Sequence, residues 1–200
     1  RQMTTRSAHQ DTFVLDRMPP RDQLPDFINL DRLGYPEQLN ATVELVDRHV
    51  AEGRGDRVAL IGQSSRWTYA DLNRHINRIA NVLTGRLGLV PGNRVLLRSF
   101  NNPVQVAIYL AVIKAGGIVV ATMPLLRSGE LVKTIDKARI SLAFCEASLL
   151  EDLEAARRQT DSLERIVTWQ GDLGGELGDL LADASEVFEP CPTRADDPCL

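Results

Sequence analysis

The chain has 200 residues, 44% of them apolar and 25% charged, enough material for one sizeable core and too much apolar content for wholesale disorder. Its 23 Lys and Arg against 27 Asp and Glu leave a net charge of −4 with no block of five or more like charges, so a nucleic-acid partner has no electrostatic basis. The cysteines (Cys145, Cys191, Cys199) form no CxxC pair and lie far in sequence from His9, His49 and His75, so neither a metal site nor a disulfide framework is expected.

Cys145 reads as a buried core thiol and the other two cysteines as loop residues. The first residues carry charges throughout and lack the apolar h-region of a secretory signal. The longest apolar stretch, 104–113, is about half of the roughly 20 residues a membrane span needs. A cytoplasmic setting with no membrane partner is therefore expected.

Residues 1–38 read as an extended polar arm, because Pro19, Pro20, Pro25 and Pro36 remove backbone donors and discourage regular structure. Such an arm is either disordered or wrapped on the body, which runs from 39 to 200. Leu39, Val43, Val46 and Val50 recur at helical spacing, and Gly53 is placed to end that helix. Two strand-like runs, 58–61 and 66–68, flank a polar turn and predict a hairpin.

Thr68 with Asp71 three positions later approximates a capping box. The helix that follows places Leu72, Ile76, Ile79, Ala80, Leu83 and Leu87 on one stripe. After a turn at Pro91-Gly92, residues 95–100 predict a strand. Asn102-Pro103 then opens a helix to about Ala115 that is apolar nearly all round, as a helix buried between layers must be.

Gly116-Gly117 reads as a helix stop plus a close approach of helix and sheet, and 118–122 as a buried strand. Ser128 is positioned to cap a helix to about Ala138. Residues 140–145 predict another strand, and Ser148 with Glu151 a second capping box before a helix to about Gln159. A strand at 165–169, a glycine-rich loop at 171–175 and a short helix at 176–184 complete the series. Strands that are continuously apolar and alternate with helices predict an α/β fold with a mostly parallel sheet covered by helices on both faces.

The residues alone reveal no catalytic chemistry. The chain contains no GxGxxG after a strand, no GxxxxGK[ST] and no GxSxG elbow. The glycines at 171–175 lack the Lys or Ser/Thr of a phosphate cradle, and His49 and His75 read as surface or boundary residues without partners.

Four stretches in order nevertheless carry a resemblance. They are Trp67-Thr-Tyr-Ala-Asp-Leu72, Leu87-Gly-Leu-Val-Pro-Gly-Asn-Arg-Val95, Tyr109-Leu-Ala-Val-Ile-Lys-Ala-Gly-Gly117 and Ala121-Thr-Met-Pro-Leu-Leu-Arg-Ser-Gly-Glu-Leu131. Together they resemble the first subdomain of the adenylate-forming enzymes: acyl- and aryl-CoA ligases, luciferases and peptide-synthetase adenylation domains. The wording Thr122-Met-Pro-Leu-Leu-Arg127, and Leu24-Pro-Asp-Phe27 leading to Tyr35-Pro-Glu-Gln-Leu-Asn40, looks most like 2-aminobenzoate– and benzoate–CoA ligases.

The resemblance implies an aromatic carboxylate, ATP, Mg²⁺ and coenzyme A as reaction partners, with an acyl-adenylate formed first and a thioester second. It also implies that the phosphate loop and the catalytic residues follow Leu200, so no catalytic residue is carried onto this chain. One binding residue is: Arg127, on the loop that in related ligases brings a basic side chain close to CoA phosphate. The competing reading of Arg127 is a solvated charge at a helix start, and that of the whole chain a non-catalytic binding or scaffold protein.

Overall fold

The computed structural model describes residues 6–26, 28 and 30–200. Expectations falling on residues 1–5, 27 and 29, including Phe27 of the arm motif, lie outside the described residues.

The predicted α/β architecture is present. A hairpin of β1 (Val58–Ile61) and β2 (Arg66–Thr68) precedes α2 (Tyr69–Gly85), itself preceded by the short α1 (Arg48–Ala51). Then come β3 (Arg94–Arg98), α3 (Pro103–Lys114), β4 (Ile118–Thr122), α4 (Ser128–Ala138), β5 (Leu142–Glu146), α5 (Leu150–Arg157), β6 (Arg165–Trp169) and α6 (Glu176–Leu181). The sheet is parallel throughout, in the order β4-β3-β5-β6, so the chain steps outward from β3 to β4 and then crosses to the other side of β3.

Alternate residues of each strand feed two cores. Val95, Leu97, Leu142, Phe144 and Val167 point to a layer containing α2, α3 and α6. Leu96, Ala143, Cys145 and Ile166 point to a layer made by α4 and α5. Burial on both faces is why these strands read as unbroken apolar runs.

Local chemistry explains most element ends. Thr68 and Asp71 form the expected reciprocal cap, with Thr68 N–H donating to Asp71 Oδ2 at 2.9 Å and Asp71 N–H to Thr68 Oγ1 at 3.1 Å. Asn102 Oδ1 accepts from Gln105 N–H at 2.8 Å, ahead of Pro103 at the first helical position. Gly116 has φ of +81°, and a Cβ there would stand 2.6 Å from Cys191 Sγ; one on Gly117 would stand 2.8 Å from Val112 Cγ1. Both glycines are therefore required by close approach.

Three expectations need correction. The helix predicted from Leu39 is wound wide over Val43–Asp47, with i→i+5 bonding, before it becomes α1; its stripe contributes only Val46 to the buried core. The widened turn coincides with an ion pair from Asp47 to the buried Lys114 Nζ at 2.6 Å. Ser128 is the first residue of α4, and Arg127 holds the cap position, its N–H donating to Glu130 Oε2 at 3.0 Å. The Ser148–Glu151 box does not form: residues Ala147–Leu149 make a tighter turn, and Ser148 Oγ donates to Glu146 Oε1 at 3.4 Å instead.

The arm is also less extended than predicted. It makes short helical turns at Leu15–Arg17, Arg21–Gln23 and Leu30–Leu33. Residues around 9–17 lie on the amino-terminal end of the sheet, where Gln10 and Asp11 N–H donate to Pro91 O at 2.9 and 3.0 Å. Asp11 pairs with the buried Arg94, and the Phe13 ring is faced by the guanidinium groups of Arg17, Arg94 and Arg139.

Candidate functional site

In an open α/β sheet the natural crevice lies beyond the carboxyl ends of the strands, where the strand order reverses. Here that point lies between β3 and β5. Glu146, at the end of β5, accepts from Ser99 Oγ at 2.9 Å, Phe100 N–H at 3.2 Å and Asn102 Nδ2 at 3.3 Å. It thus fixes the turn that leads from β3 into α3. A cleft of about 360 Å³ opens beside it, lined among others by Ser64, Ser65, Phe100, Asn101, Glu146 and Asp172.

The second feature of this edge is the loop between β4 and α4. Arg98, the last residue of β3, is 1% exposed and carries a positive charge into the interior. Its guanidinium donates to four backbone carbonyls: Nε to Leu149 O at 3.2 Å, Nη1 to Met123 O at 3.0 Å, and Nη2 to Pro124 O and Leu126 O at 2.9 Å each. Such a charge is tolerable inside only because its donors are used. The carbonyls turn inward, so Met123, Leu125 and Arg127 face outward in alternation, Leu125 at 79% exposure.

Arg127, the one candidate binding residue, lies at this edge. Its side chain is 81% exposed, and Nη1 makes an ion pair with Asp152 Oδ2 at 3.1 Å. The same carboxylate oxygen lies 4.0 Å from Arg98 Nη2, between a buried guanidinium and an exposed one. An exposed arginine held by one carboxylate through a single guanidinium nitrogen keeps donors free for a phosphate oxygen.

The other chemistry-bearing groups serve the fold. Burial pushes the Cys145 thiol up to about 12, which keeps it protonated and inert. Lys114 is sealed in a network with Asp47 and Asn77 Oδ1, the latter at 2.6 Å from Nζ. His49 stacks on Tyr69 at 4.3 Å and accepts from Arg54 Nε at 3.0 Å, and His75 lies tilted against Trp67 at 4.4 Å; both sit at the boundary positions expected, but neither is without a partner as predicted. Among the described residues no group of three or more His, Cys, Asp and Glu side chains converges to hold a metal ion, and no helix is long and apolar enough to cross a membrane.

Sequence reasoning missed Arg98 and Glu146. The only local signal was a charged residue closing an otherwise apolar strand in each case, Val95-Leu-Leu-Arg98 and Leu142-Ala-Phe-Cys-Glu146.

Residues 47–200 match the AMP-binding enzyme family. The chain belongs to that family. Among curated AMP-binding relatives, the benzoate–CoA ligase of Thauera aromatica is 31% identical over 164 residues, covering 82% of this chain and 31% of its own. The 4-hydroxybenzoate–CoA/benzoate–CoA ligase of Rhodopseudomonas palustris is 30% identical over 79% of this chain and 30% of its own.

Two solved structures share the fold. The anthranilate CoA ligase AuaEII in complex with anthranoyl-AMP superposes with a TM-score of 0.75 at 23% identity, over 82% of this chain and 31% of that one. ATP-bound MatB from Rhodopseudomonas palustris gives 0.69 at 27% identity, over 80% and 31% respectively. This AMP-binding chain therefore spans about a third of the length of the curated relatives it matches. The fold and family read from the four sequence stretches are those found.

Proposed function

We propose that this chain is the amino-terminal part of an ATP-dependent aromatic acid–CoA ligase. The observation that carries the reading is the match of residues 47–200 to the AMP-binding enzymes together with relatives that are benzoate–CoA ligases. In the proposed reaction a carboxylate oxygen attacks the α-phosphorus of ATP and pyrophosphate leaves. The CoA sulfur then attacks the carbonyl carbon of the acyl-adenylate and AMP leaves. The division into an arm over 1–38 and a ligase subdomain over 39–200, and a cytoplasmic location, belong to the same proposal.

Within it, Arg127 binds a phosphate group of CoA. Its exposure and its position on an outward-facing loop support that role. Among the described residues no three His, Cys, Asp or Glu side chains are grouped to hold Mg²⁺.

The test is an assay of the ligase that carries this chain, with ATP, CoA and either benzoate or 2-aminobenzoate. Acid-dependent release of AMP and pyrophosphate with thioester formation is expected; no acid-dependent pyrophosphate release would overturn the reading and favour a non-catalytic binding role. Arg127→Ala is expected to raise the KM for CoA by about tenfold, the scale of one lost charge-assisted contact, and to leave the KM for ATP within about twofold. Equal effects on both substrates would remove Arg127 from the CoA site.

A further inference from the structure

We infer that Arg98 is a positioning residue for the phosphate-binding edge: it acts on ligand affinity through the loop that carries Arg127, without touching the ligand. This rests on the reading of Arg127 as a CoA-phosphate contact.

The geometry supplies the argument. Arg98 makes three of its four carbonyl contacts to a single short segment, Met123 O, Pro124 O and Leu126 O, all between 2.9 and 3.0 Å. The fourth, Leu149 O, lies just ahead of α5, the helix that presents Asp152 to Arg127. One buried planar group thus joins the two segments that together fix the Arg127 guanidinium. Glu130 holds the third point, through the Arg127 N–H at 3.0 Å.

A neutral residue could close the end of an apolar strand more cheaply than a buried cation can, since burying a charge is costly even when its donors are all used. A planar fork has donors diverging in one plane at fixed angles, whereas an ammonium offers a compact point charge on a flexible stem. The Arg98 side chain therefore specifies where the loop lies in a way that a lysine does not. With the carbonyls pinned inward, Met123, Leu125 and Arg127 are left facing outward in a row that ends in the cation.

Arg98→Lys is the informative variant, because it keeps the charge and loses the fork. In the ligase that carries this chain it is expected to raise the KM for CoA by about tenfold while the KM for ATP moves by less than about twofold, as a lost orientation of one binding group requires. In an Arg127→Ala background the same change is expected to add nothing, because both act through one contact. In the same ligase, amide exchange over residues 123–131 is expected to quicken in Arg98→Lys while α2 and α3 stay protected.

Additive effects of the two substitutions on the KM for CoA, equal rises for ATP and CoA, or unchanged exchange over 123–131 would each overturn the inference. Should Arg127→Ala leave the KM for CoA untouched while Arg98→Lys raises it, the Arg127 reading fails and the route through Arg127 fails with it. Unaltered CoA binding in Arg127→Ala, together with quickened exchange in Arg98→Lys, would reduce Arg98 to a structural residue. Should Arg98→Lys not fold, Asp152→Asn, which removes the carboxylate shared by Arg127 and Arg98, is expected to raise the KM for CoA by about threefold and to be silent in Arg127→Ala; additivity there would equally overturn it.

Discussion

Strand β3 begins and ends with a buried arginine, and the two ends treat their charge differently. At the amino end, Arg94 is neutralised: Asp11 of the arm pairs with it, Phe13 covers its face, and Ala138 O and Arg139 O accept from it at 2.8 and 3.0 Å. At the carboxyl end, Arg98 meets neutral carbonyls at hydrogen-bond distance, and the nearest carboxylate stands 4.0 Å away. One end is closed by the chain's own arm. The other keeps positive charge beneath an open edge where Phe100, Met123 and Leu125 are exposed. The same side chain in the same strand is thus used to seal one end and to shape the other.

The contrast is broken most severely at Arg98. Arg98→Met should destabilise the chain by about 3 kcal/mol, because four carbonyls lose a donor that is itself only 1% exposed. Denaturant unfolding would measure it. A loss below about 1 kcal/mol would mean that solvent reaches the loop and that the arginine is not what fixes it.

A smaller effect tests the sealed end through pH. His9 of the arm is buried against the body and lines a small cavity with Thr193, Asp197 and Cys199, its Nδ1 without a protein partner. Burial lowers its pKa below the ordinary 6.5, against the opposing pull of Asp197 and Asp11. A group whose folded pKa is depressed resists protonation in the folded state only. Its contribution is therefore intact above about pH 6.5 and is lost as the pH falls from there towards the folded value.

Burial also works to raise the Asp11 carboxyl, but hydrogen bonds from Arg94, the Phe13 N–H and Asn93 outweigh it and hold it below 3.8. That pair therefore keeps its stabilising effect until the pH is well below the histidine's range. Unfolding midpoints should fall between about pH 7 and about pH 5, with faster amide exchange confined to residues near 9–17, and His9→Phe should flatten that slope. An unchanged slope in the variant would assign the acid sensitivity to other groups.

The smallest effect is expected at Arg127. Its pair with Asp152 is largely solvated, so Arg127→Ala should change stability by less than about 0.5 kcal/mol. A measurable loss of stability would make Arg127 part of the scaffold and weaken its assignment to ligand binding.

Much of this fold was legible in the sequence because its determinants are local. The Thr68–Asp71 cap, the Asn102-Pro103 start and the Gly116-Gly117 stop each depend on a few neighbouring residues, and two-sided burial turns β3 and β5 into nearly unbroken apolar runs. What was not legible depends mostly on partners distant in sequence. Ser148 is the local exception: it has the spacing of a cap, yet its hydroxyl donates to Glu146, two residues back at the strand end. The placement of β5 beside β3 cannot be read from periodicity, and with it went the crevice at Glu146 and the role of Arg98, whose acceptors lie 25 to 51 residues away. Arg127 was singled out only through family resemblance, since an exposed arginine before a helix has no signature of its own.

The join between residues 37–40 and 191–195 has a consequence for how the chain is made. Leu39 N–H donates to Thr193 O, Ala195 N–H to Glu37 O, and Thr193 Oγ1 returns a bond to Leu39 O across a separation of 154 residues. At synthesis rates of about 5–20 residues per second, Leu39 leaves the ribosome roughly ten to thirty seconds before its partner exists. Asn40 bridges that interval only in part, since Ile113 O and Lys114 O reach it long before Cys191 O does. During translation the arm is therefore tethered at one end and unsealed at the other, and the nascent sheet must keep its amino-terminal rim in water until the last of these residues arrives.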